Sequence, residues 1–110
     1  MIDETLKELQ RKIKLSSSIP DKSKEELIAM LSELKTEIAK LSKTRGEEAE
    51  SISGFTKLST HEATRSNKDQ HLLDLSLKGL VFSVEGLEVS HPRLYQLVNS
   101  VCTMLTKMGI

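Results

Sequence analysis

The side chains with the widest chemical repertoire in this 110-residue chain are His61, His71, His91 and Cys102. A zinc site needs such donors at i, i+4 on one helix, or in a CxxC pair, so that they converge on one ion. No two of the four stand at those spacings, and a lone cysteine forms no intramolecular disulfide. Glu25/Glu26 and Glu47/Glu48 are adjacent pairs. Neighbouring positions on a helix diverge by about 100°, so neither pair makes an acid–base dyad. There is no nucleophile elbow, P-loop or dinucleotide fingerprint. These residues assign no catalytic, cofactor-binding or metal-ligating position, and the expectation is a non-enzyme without a cofactor. Cys102 reads as a small core residue. His91 reads as a local packing or hydrogen-bonding residue at a helix end, the functional alternative being a pH-responsive hinge.

Composition narrows the class. Sixteen basic and sixteen acidic residues give no net charge. That balance disfavours nucleic acid as a partner, which requires a basic face, and equally an anionic membrane. No apolar run approaches the ~18 residues of a membrane span, and no signal peptide is visible, so a cytoplasmic protein is expected. With no Trp, one Tyr and two Phe, the core must be built from Leu, Ile, Val and Met. Charge is concentrated at the front: residues 1–45 hold 10 basic and 8 acidic side chains, residues 72–110 only 3 and 3.

The apolar spacing predicts an all-α helix bundle of helical hairpins with heptad-like seams. Ile2, Leu6, Leu9 and Ile13 mark a helix over about 2–15. Leu27, Leu31, Leu34, Ile38 and Leu41 mark a second over about 22–44, with Ser23 and Glu26 in a capping-box pattern. Residues 1–45 thus form an amphipathic hairpin. Residues 46–67 hold frequent Ser and Thr, an internal Gly54, and only Ile52, Phe55 and Leu58 as large apolar side chains. They read as a polar linker. Residues 68–110 read as an apolar hairpin within the same single domain, with helices over about 68–89 and 91–108. Ser66 or Asn67 is the expected cap of the former. Leu94, Val98, Val101, Leu105 and Met108 form the seam of the latter. The Ser90-His91-Pro92 junction is a hairpin turn or a kink, and Ser90 is its expected cap. Gly109 and Ile110 fit a C-terminal cap.

The third predicted helix carries more than one apolar stripe. Leu73, Leu77, Leu80, Val84 and Leu87 form a seam, while Leu75, Phe82 and Val89 lie on the opposite side. Ser76, Gly79, Ser83, Gly86 and Ser90 make a line of small residues between them. A helix apolar on both sides needs partners on both sides. The surface formed by Leu75, Ser76, Gly79, Phe82, Ser83, Gly86 and Val89 is therefore the expected interface.

Glu88-Val89-Ser90-His91-Pro92-Arg93-Leu94, followed by a terminal Leu105-Thr106-Lys107-Met108-Gly109-Ile110, resembles a family of short bacterial proteins, the domain-of-unknown-function family numbered 4404. That family shows Phe-Glu-x-Ser-His-Pro-x-Leu and then an amphipathic helix ending in Met-Gly-Ile. The chain departs from it at Leu87, where Phe is favoured, at Gly86, where a charge is usual, and in its long polar stretch. The resemblance covers residues 72–110 and implies bacterial origin and a helical fold. It implies no activity.

These readings lead to an interaction or scaffold module that associates with itself as a homodimer or higher oligomer. The alternative is an adaptor that takes a helix of another protein in an apolar groove. A small ligand-binding protein or enzyme ranks below both, because no convergent polar constellation is present.

Overall fold

A computed structural model describes residues 2–15 and 19–108, and for residues 2–6 and 9 only the backbone. Among them the secondary structure is all helical. The helices are α1 (Ile2–Leu15), α2 (Asp21–Ser42), α3 (Gly46–Thr64), α4 (Gln70–Ser83) and α5 (Pro92–Met108). The radius of gyration, 13.0 Å, is that of a globule of about 100 residues.

The leucine-rich seams behave as their spacing requires. Leu27, Leu31, Leu34, Ile38 and Leu41 of α2 are fully buried. So are Val98, Val101 and Leu105 of α5, with Leu94 and Leu97 almost so. The two helices pack on each other, and an exposed Arg93–Glu33 ion pair joins their surfaces. Ile13 anchors α1 in the same core, and Gln10 Nε2 donates to Ser32 Oγ at 2.9 Å across the α1–α2 contact.

The stretch expected as a polar linker is instead α3, and α3 packs against every other helix. Its buried residues include Ala49, Ile52, Thr56, Ser59 and Ala63. These stand at spacings of three, four, three and four, a helical seam written in small and hydroxylated residues. Small side chains let several neighbours approach one helix. The hydroxyls are not left bare. Thr56 Oγ1 donates to the Ile52 carbonyl at 2.7 Å, Ser59 Oγ to Phe55 at 2.6 Å, and Thr60 Oγ1 to Thr56 at 2.8 Å. Each polar side chain thereby satisfies itself inside its own helix, which removes most of the cost of burying it.

The third predicted helix is shorter than its apolar period suggests. It ends at Ser83, although Val84 and Leu87 beyond it are still buried. Gly86 takes φ +90°, a left-handed conformation that turns the chain and brings Leu87 back to the core. Apolar periodicity alone cannot reveal such a stop. The helix starts differently too. Asp69, not Ser66 or Asn67, is its cap, its side chain accepting from the Leu72 N–H at 3.1 Å. The Ser23/Glu26 capping box is likewise absent, since Pro20 precedes the first turn of α2 and Ser23 lies inside it.

Residues 84–91 form a turn-rich connection, and α5 begins with Pro92 in its first turn, where the missing N–H is harmless. The His91 carbonyl accepts from the Tyr95 N–H at 3.1 Å, while Ser90 Oγ lies 2.9 Å from His91 Nδ1. His91 thus occupies the capping position expected for Ser90. The chain turns between two separate helices here, but α4 packs mainly on α3 and α5 mainly on α2. Gly109 and Ile110 lie outside the described residues.

Candidate functional site

His61, Glu62 and Arg65 come together at one end of α3, but the histidines and Cys102 form no ligand set among the described residues. Among the described residues no group of three or more His, Cys, Asp or Glu side chains is placed to hold a metal ion. Cys102 is buried, and that burial pushes its thiol up to about 11, leaving it protonated at neutral pH. Glu62 is buried on α3 and accepts from Arg65 Nη1 at 2.8 Å, with His61 Nε2 at 3.8 Å. The hydrogen bond and charge of Glu62 hold the Arg65 guanidinium above its ordinary value. This is a structural pair closing one end of α3. The surface has shallow depressions, such as one of about 400 Å³ lined by Lys12, Leu15, His61, Thr64, Arg65 and Ser66. Another, of about 280 Å³, lies between α2 and α5 and includes Glu26, Met30 and Thr103.

The expected interface on α4 divides in two. Its small residues are already in use. Ser76 is buried, with its hydroxyl on the Leu73 carbonyl at 2.8 Å, and Ser83 is half-buried. Gly79 lies beneath the ring of Phe55, so closely that a Cβ there would sit 2.2 Å from Phe55 Cε1. At Gly79 the neighbour of the small stripe is therefore Phe55 of α3 in the same chain. Gly86 belongs to the helix stop, and Val89 stands free in the loop beyond it.

The flanks remain open. Leu75 is 50% exposed and Phe82 68%. They lie one turn on either side of Gly79, so the Phe55 ring sits between them. Phe55 and Leu58 on α3, and Leu72 on α4, are also partly exposed. Leu72, Leu75, Gly79 and Phe82 stand at spacings of three, four and three along α4. Phe55, Leu75 and Phe82 thus form an exposed apolar strip at the α3–α4 junction, with Leu58 and Leu72 exposed further along the two helices. Phe55 and Leu58 are its residues that sequence periodicity did not identify. Their i, i+3 spacing was a signal, but it lay on the outer side of a helix whose inner side was hidden in Ala, Ser and Thr.

Among the described residues no helix is long and apolar enough to cross a membrane. No family model, no curated protein and no solved structure matches the chain.

Proposed function

We propose that this chain is a non-enzymatic helical interaction module that associates with itself. The carrying observation is the apolar strip of Phe55, Leu58, Leu72, Leu75 and Phe82 along the α3–α4 junction. Contiguous exposed apolar surface on a small soluble domain marks contact with another macromolecule. Two phenylalanines near its centre supply the large, rigid side chains that anchor interfaces.

Light scattering at micromolar concentration tests the proposal. A self-associating chain gives at least twice the 12.3 kDa monomer mass, and Phe82→Gln with Leu75→Gln lowers it. A strictly monomeric chain over that range would sink self-association and leave the strip to a helix of another protein.

A further inference from the structure

The clue is Gly54. It lies within α3, outside the left-handed region, and a Cβ built on it meets nothing within 4 Å. A mid-helix glycine weakens a helix relative to alanine, and the monomer leaves room for a side chain here. The exposed face around it changes sign along its length. Glu47 and Glu50 precede Gly54, Lys57 and His61 follow it, and Lys12 of α1 joins Lys57 and His61 in the shallow depression that Gly54 lines. Among the described residues, Glu47, Glu50 and Lys57 have no hydrogen-bond or ion-pair partner.

We infer that two copies of the chain pair through antiparallel α3 helices that cross at Gly54, about a twofold axis. This rests on the self-association proposed above and names its geometry. A helix rises about 1.5 Å per residue, so Glu50 lies about 6 Å on one side of Gly54 and Lys57 about 4.5 Å on the other. Glu47 and His61 lie about 10.5 Å away on opposite sides. The twofold axis brings Glu50 beside Lys57 of the second copy, and Glu47 level with its His61. A parallel pairing would set Glu47 on Glu47 and Lys57 on Lys57, which like charge opposes. The glycine at the crossing lets the two backbones approach, and each contact occurs twice, as an isologous interface requires.

The same axis accounts for the rim on α4. α4 runs antiparallel to α3 with Gly79 level with Phe55. An axis crossing both helices at that level lays α4 beside α4 of the second copy. Leu75, about 6 Å to one side, then meets Phe82, about 4.5 Å to the other. One operation thus covers the apolar strip and pairs the charges.

Gly54→Gln tests the crossing, because the monomer has room for the side chain. The expected result is an unchanged helical circular-dichroism spectrum, an unchanged or higher Tm, and a dimer dissociation constant weakened at least 10-fold. Glu50→Lys alone and Lys57→Glu alone should each weaken the dimer several-fold. The Glu50→Lys/Lys57→Glu double variant should recover most of the loss. A dimer that persists in Gly54→Gln and ignores the charge swaps overturns the α3 crossing while self-association stands. A monomeric wild-type chain overturns both.

Discussion

The ring of Phe55 occupies the space that a side chain at position 79 would need, 2.2 Å from the Cβ position to Cε1. Gly79→Ala therefore opposes two effects. Alanine gains about 1 kcal/mol of helix propensity over glycine, whereas displacing the ring costs about 1–3 kcal/mol as overpacking does. Gly79→Ala should destabilise the wild-type chain by about 1 kcal/mol in urea denaturation. In a Phe55→Ala background the same change should stabilise it by a similar amount, because the obstacle is gone. The same sign in both backgrounds would show that the ring does not set the α3–α4 spacing.

The hydroxylated seam of α3 makes a core prediction for residues that read as a linker. Ile52 is fully buried. Ile52→Ala should cost about 2–4 kcal/mol. A mobile linker would register almost nothing. Thr56→Leu should also destabilise, since its buried position has neighbours on several sides and extra volume there forces them apart.

Cys102 gives a pH dependence. Burial raises its thiol from about 9 to about 11, so the folded chain keeps a proton that the unfolded chain releases first. The sign follows directly. This contribution is fully present below pH 9 and is lost as pH rises from about 9 to 11. The stability difference between wild type and Cys102→Ala should shrink across that window. The native thiol should resist alkylation at pH 8, and rapid modification without unfolding would contradict its burial.

Two arginine–glutamate pairs separate surface from interior. Glu33 is about half exposed, so Arg93→Ala should change stability by less than about 1 kcal/mol. Glu62 is buried, so Arg65→Ala strands a carboxylate with only His61 nearby. Its Tm should fall further than that of Arg93→Ala, and Glu62→Gln should recover part of the loss in the Arg65→Ala background. Equal effects of the two arginine variants would mean that Glu62 reaches water.

Much of the fold was legible wherever the seam was aliphatic. The first helix was expected at 2–15 and lies at Ile2–Leu15; the last was expected at 91–108 and lies at Pro92–Met108. In α5 the Leu and Val residues report burial directly, and in α1 Ile13 does. α3 was hidden because Ala49, Thr56, Ser59 and Ala63 keep the helical period but lack the hydrophobicity that reveals it. Their burial depends on neighbours that composition cannot name, and on hydroxyls that bond back to their own helix. α4 was drawn too long for the opposite reason, since Val84 and Leu87 are apolar and buried yet belong to a turn. The same misreading moved the candidate interface. With no α3 to cover it, the line from Ser76 to Gly86 looked unpartnered, whereas Ser76 is buried and Gly79 lies under Phe55, while Leu75 and Phe82 beside them stay exposed.

The position of α3 also bears on how the chain folds. Its glycines, serines and threonines give it little tendency to be helical alone. It becomes a helix only when the others surround it, and each of them in turn buries part of itself against it. Neither α1 with α2 nor α4 with α5 is then an autonomous foldon. The chain should unfold in a single step, with the α3 amides exchanging their hydrogens only through the globally unfolded state.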